Sequence, residues 1–158
     1  MPIDFRLTKE QEDLRDAARD FAQDVLAPLV RDADASPDPQ DAFAKTKPAY
    51  VEAYKRGLAM GFLPKEYGGG SVSNLDLQLV AEEICAIDPG FATTILVNGL
   101  GLMNVVWFGT AAEKEKWLRP ACTDPTGEYL AGWVVSEAAG PAAPPISMRR
   151  SPRRSESG

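Results

Sequence analysis

Apolar residues recur along most of this chain at helical spacing, and in one stretch the spacing changes to that of a strand. Leu14, Ala17, Ala18, Phe21, Val25 and Leu29 fall three or four apart, which predicts an amphipathic helix over about 9 to 31. Thr8-Lys9-Glu10-Gln11 in front of it has the layout of a capping box. The Thr hydroxyl can accept from the Gln amide while the Gln side chain reaches back. Pro28 is expected to kink or end this helix. Asp34 to Gln40 reads as loop by composition. Tyr50, Tyr54 and Leu58 share a face of a second helix, expected over about 47 to 60 with Gly61 as its stop.

Phe62-Leu63-Pro64-Lys65-Glu66-Tyr67-Gly68-Gly69-Gly70 is a loop, because three consecutive glycines disfavour a helix. These glycines lack the spacing of a phosphate-binding loop, and no Gly-Lys-Ser/Thr follows. Ser73 or Asn74 can cap a third helix over about 75 to 87, with Asp76 favourable in its first turn. Asp88-Pro89 starts a fourth helix to about 108, Asp as cap and Pro at the first helical position. Thr110-Ala111-Ala112-Glu113 opens a fifth that Pro120 is expected to close. Asp124-Pro125-Thr126-Gly127 then makes a turn. Tyr129 to Ser136, with two valines and two aromatics, reads as a strand with no sequence partner.

The fold class expected is therefore all-α: an orthogonal bundle of about five helices, then an orphan β-strand and a disordered tail. Three stretches follow: 4–122 as the helical domain, 128–140 as the start of a β-domain, and 141–158 as a tail rich in Pro, Ser and Arg with little to bury. The tail's Arg149, Arg150, Arg153 and Arg154 fit either a basic contact arm or a vestigial or non-native extension. The abrupt change after Gly140 is also what a shifted reading frame in a GC-rich gene would produce.

The fourth helix changes the picture in one respect. Phe91 to Phe108 contains no charged residue and reaches the lower length limit for a membrane span. Asn98, Asn104, Gly99 and Gly101 interrupt it, and no close Lys/Arg cluster sets an orientation. The expectation is a buried core helix and no membrane span. At 158 residues the chain suffices for one domain with a sizeable core. Its net charge of −6 argues against a nucleic-acid partner. The absence of histidine removes Ser-His-Asp and Cys-His catalysis and leaves no expected metal site. Cys85 and Cys122 sit in no zinc or disulfide spacing and are expected to be reduced, buried thiols of an intracellular, cytoplasmic protein.

The helix order and five local motifs resemble the acyl-CoA dehydrogenase family. Leu7-Thr8-Lys9-Glu10-Gln11 with Arg15 and Phe21 is similar to its opening helix. Pro64-Lys65-Glu66-Tyr67-Gly68-Gly69 resembles its PEEYGG loop. Glu82-Glu83-Ile84-Cys85 with Asp88 is similar to the end of its third helix. Phe108-Gly109-Thr110, Glu113-Lys114 and Trp117-Leu118 resemble its FGT segment. Gly132-Trp133-Val134-Val135-Ser136-Glu137 resembles the strand leading to its [ST]-E-P-x-A-G-S-D signature.

The resemblance implies FAD as cofactor and an acyl-CoA thioester as substrate. A carboxylate would remove the α-proton while the β-hydride passes to the flavin. It also implies an electron-transfer partner and a homo-oligomer for the full-length form. Trp133 would pack near the flavin ring, and Val135 and Ser136 would hydrogen-bond its polar edge. Ala92, Leu96 and Leu100, four apart, would line the acyl tunnel. On the residues alone, the strand is an ordinary one with a buried Trp, and the helix is plain core. The pattern departs after Glu137, where Ala138-Ala139-Gly140-Pro141 replaces Pro and then Ala-Gly-Ser-Asp. None of Glu66, Glu82, Glu83 and Glu137 stands at the family's base position, so no catalytic residue is assigned. The chain is expected to be inactive alone. The competing expectation is a helical interaction module that kept the fold without the chemistry.

Overall fold

The computed structural model describes residues 6–132, 136–137 and 140–141. Among these, five helical rods form the body, as the apolar spacing predicts. The first rod is α1 (Lys9–Phe21), a π-helical turn (Ala22–Leu26) and α2 (Ala27–Asp34), continuous from end to end. The Thr8–Gln11 capping box closes its start. Pro28 neither ends nor breaks it. A proline ring clashes with the carbonyl four residues back in an α-helix. The preceding turn widens instead, with the Ala27 amide donating to the Ala22 carbonyl five residues back.

The second rod, α3 (Pro39–Lys55), starts well before the expected position. Asp38 accepts from the Gln40 amide at 3.0 Å, and Pro39 occupies the first turn. This is the same Asp-Pro start that opens the fourth helix at Asp88-Pro89, so the loop expected over Asp34 to Gln40 shrinks to Ala35–Asp38. The helix also ends before Gly61. Gly57, at φ +77°, takes the left-handed conformation that closes a helix without a Cβ clash. The Leu58 amide returns to the Ala53 carbonyl at 2.9 Å. Leu58 is therefore buried beyond the helix rather than on it.

The chain then turns through a single 3-10 turn (Lys65–Tyr67) inside the expected glycine loop. α4 (Asn74–Cys85) is capped by Ser73, with Asp76 completing the reciprocal pair. α5 (Pro89–Phe108) is capped by Asp88. α6 (Ala111–Thr123) opens on the Thr110–Glu113 capping box. Pro120 does not close it. It lies in the final turn, where one missing amide removes little, and the Thr123 hydroxyl donates to the Arg119 carbonyl at 2.8 Å.

α1 packs on α4, α2 on α3, α4 on α5, and α5 on α6. Phe21, Leu26, Tyr50, Leu63, Ile84 and Leu118 are the largest apolar side chains sealed between them. Arg19 grips Glu83 with two parallel bonds of 2.8 and 3.0 Å, tying α1 to α4. That assigns Glu83 a structural role.

The expected strand is not seen over Tyr129–Gly132, which carries no ladder, and 133–135 lie outside the described residues. The amides in this stretch are met by side chains instead: Tyr129 by Asp124 at 2.8 Å and Ala131 by Asn98 at 2.5 Å. Further on, β1 (Ser136–Glu137) pairs antiparallel with β2 (Gly140–Pro141), Ser136 opposite Pro141. Of the tail assigned to 141–158, Pro141 lies in β2 and residues 142–158 lie outside the described residues.

Candidate functional site

α5 is the chemically distinctive element. No charged residue occurs between Asp88 and Glu113. By length and composition it is apolar enough to cross a membrane, with mean hydropathy 1.5, yet it lies in the bundle against α4 and α6. The helix is not buried all round. Phe91, Ala92, Ile95, Asn98, Gly99 and Leu102 face the core, whereas Leu100, Trp107 and Phe108 are exposed. The Trp107 and Phe108 rings meet edge to face at 6.3 Å. Beside them an open groove of about 270 Å³ runs between Asn104, Val105, Phe108 and Trp117.

The sequence places Ala92, Leu96 and Leu100 on one face. A four-residue step on a helix with 3.6 residues per turn drifts by about 40°, and the burial follows that drift. Ala92 is sealed at 2% exposure, Leu96 is half-buried, and Leu100 is 48% exposed. Leu96 and Leu100 therefore border open space, and Ala92 belongs to the core. Trp133 and Val135 lie outside the described residues. Ser136 is placed by its backbone, in the pair with Pro141.

Sequence reasoning missed the residues that bring the exit segment to α5. Asn98 is the buried polar residue of the described chain, at 1% exposure. Its Nδ2 donates to the Tyr50 hydroxyl at 2.7 Å and to the Thr94 carbonyl at 3.3 Å. Its Oδ1 accepts from the Ala131 amide. The Tyr50 hydroxyl donates in turn to the Tyr129 carbonyl at 2.6 Å. Burial pushes the Tyr50 pKa up to about 12, with the Asn98 bond pulling the other way. One turn along α3, the Tyr54 hydroxyl donates to the Ala121 carbonyl and accepts from the Asp124 amide. Asp124 collects the Thr126 hydroxyl and the amides of Thr126, Glu128 and Tyr129. Those bonds, the Thr126 hydroxyl foremost, hold its carboxyl below the usual range. An Asn inside an otherwise uncharged helix was the available signal, because a polar group there must be satisfied.

Gly101 allows the closest approach. A Cβ there would lie 2.9 Å from the Gly132 carbonyl oxygen, so the exit backbone runs directly against α5. No group of three or more His, Cys, Asp or Glu side chains suited to a metal occurs among the described residues. Both cysteines are free. Cys122 is half-buried, but Cys85 is exposed, contrary to expectation, because it occupies the outer side of the last turn of α4.

The description "Acyl-CoA dehydrogenase, N-terminal domain" matches residues 8–124, and the chain belongs to that family. It is 33% identical over 140 residues to nitroalkane oxidase of Fusarium oxysporum, covering 89% of this chain and 32% of that protein. It is 32% identical over 122 residues to the short-chain-specific acyl-CoA dehydrogenase of Megasphaera elsdenii, covering 75% and 30%. A solved flavoprotein nitroalkane oxidase superposes with a TM-score of 0.78 at 32% identity, covering 89% of this chain and 32% of that one. An acyl-CoA dehydrogenase complexed with FAD from Bacillus anthracis gives 0.73 at 26%, covering 86% and 22%. The chain spans about a third of the length of the curated relatives it matches. Fold and sequence together place it in the FAD-dependent acyl-CoA dehydrogenase and nitroalkane oxidase superfamily.

Proposed function

We propose that this chain supplies one wall of the active site of an FAD-dependent oxidoreductase acting on the α,β C–C bond of an acyl-CoA thioester. The observation that carries the reading is the exit segment pinned beside the open, uncharged side of α5. Leu96 and Leu100 would face the acyl chain. Trp133, Val135 and Ser136 would meet the flavin.

The residues present fit the ring and acyl portions of such a complex, because an apolar wall without charges excludes water and suits both. Residues 120–148 contain no Lys or Arg, so this stretch offers the FAD diphosphate no cationic side chain. When bound, FAD supplies the two-electron chemistry. This chain's own residues would orient the acyl chain and flavin ring and exclude water from them. A second reading, nitroalkane oxidation, is favoured by one observation: the nitroalkane oxidase match covers more of this chain than the acyl-CoA dehydrogenase match.

The purified chain should be colourless and should reduce no dye with any acyl-CoA. Stoichiometric flavin that bleaches with substrate would show a complete site and overturn the reading. A specific protein partner captured by this chain but not by a full-length relative would favour the interaction-module alternative.

A further inference from the structure

α5 carries both halves of the proposed site. Leu96 and Leu100 border open space, and Asn98, between them in sequence, turns inward. Through Asn98 and Tyr50, side chains on α5 and α3 grip the exit segment at two backbone points: the Ala131 amide at 2.5 Å and the Tyr129 carbonyl at 2.6 Å. The intervening Leu130 side chain is left 53% exposed. One residue on, Gly132 lies against Gly101. As the segment steps from 131 to 132, its contact moves along α5 from 98 to 101, towards the C-terminal end of the helix.

We propose that Asn98, held by Tyr50, is a positioning residue: it fixes where the chain leaves the helical bundle by laying the 129–132 segment along α5. The inference rests on the proposed function, in which the chain beyond this segment meets the flavin. The geometry supports positioning over mere packing. Leu has nearly the shape of Asn and would fill the site, but it offers no oxygen to the Ala131 amide and no donor to Tyr50. The Tyr50–Asn98 bond is itself fully buried, so these groups have no water to fall back on.

The test is residue-resolved amide hydrogen exchange on the whole chain, without flavin. In Asn98→Leu, the Ala131 and Gly132 amides should lose at least about ten-fold in protection while Leu26 and Ile84 in the core keep theirs. Asn98→Asp retains the acceptor and should hold Ala131 protection within about three-fold of the parent. A packing role predicts the reverse order, with Leu tolerated and Asp not. Should Asn98→Asp fail to fold, Tyr50→Phe answers the same question, and a loss at 129–132 clearly larger than that at Leu26 and Ile84 supports the proposal. Unchanged protection at Ala131 in Asn98→Leu, or a loss there no larger than the loss in the core, overturns it. These outcomes are independent of flavin, so failure of the flavin reading would show separately, as a full-length relative that carries residues 8–132 of this chain and folds without FAD.

Discussion

Removing the Tyr50 hydroxyl by Tyr50→Phe tests the bond network directly. The ring is sealed at 1% exposure, so the substitution leaves packing intact and deletes one oxygen. Two partners lose a bond: the Tyr129 carbonyl at 2.6 Å and the Asn98 amide at 2.7 Å, the latter keeping its longer bond to Thr94. A buried group left unsatisfied costs about 1–3 kcal/mol. Tyr129 is half-buried and Asn98 keeps one acceptor, so both terms belong at the low end, about 2 kcal/mol together. For a chain of this size that lowers Tm by roughly 7 °C. Urea denaturation followed by far-ultraviolet circular dichroism measures it. Tyr54→Phe is the control: Tyr54 is half-buried, water can replace its partners, and the loss should be about 1 kcal/mol. A loss below about 0.5 kcal/mol for Tyr50→Phe, or one no larger than that for Tyr54→Phe, would refute the reasoning.

Three further outcomes are expected. Gly69→Ala should cost about 3 kcal/mol or prevent folding, because a Cβ there overlaps the backbone carbonyl of buried Leu63; thermal melting measures it, and a stable Gly69→Ala chain would contradict the loop geometry. A maleimide at neutral pH should label exposed Cys85 and spare Cys122, whose thiol burial pushes up to about 11; mass spectrometry of the peptides decides, with Cys122 reacting only after denaturant is added. Alkaline stability follows Tyr50. Its folded pKa lies above its unfolded value near 10, so the folded state holds its proton longer. Stability is therefore full below about pH 10 and falls as pH rises towards 12. In Tyr50→Phe that decline should be shallower.

The helix starts were legible wherever a polar cap sat next to the apolar pattern. Thr8, Ser73, Asp88 and Thr110 all cap as their spacing suggests. Asp38-Pro39 carried the same signal, but the Ser, Pro and Asp residues around it read as loop. The two proline-based stops failed for separate reasons. A π-turn absorbs Pro28, and the last turn of α6 absorbs Pro120. The sharing of a face by Ala92, Leu96 and Leu100 was legible only within the drift of a 3.6-residue turn, which carries Ala92 into the core. The exit segment was not legible at all. Its amides bond to Asn98 and Asp124, contacts set by tertiary packing that no local pattern records.

The central claim is that the bundle and its exit segment form the substrate-side wall of a flavin site built for acyl-CoA. Two hybrids test it: residues 8–132 replacing the matching stretch of the Megasphaera elsdenii acyl-CoA dehydrogenase, and of the Fusarium oxysporum nitroalkane oxidase. The measurement is visible flavin absorbance of each purified hybrid before and after its substrate is added. The account predicts that the acyl-CoA dehydrogenase hybrid retains FAD and that an acyl-CoA bleaches it. Flavin retention and bleaching in the nitroalkane oxidase hybrid alone, or a folded but flavin-free protein in both cases, would contradict it.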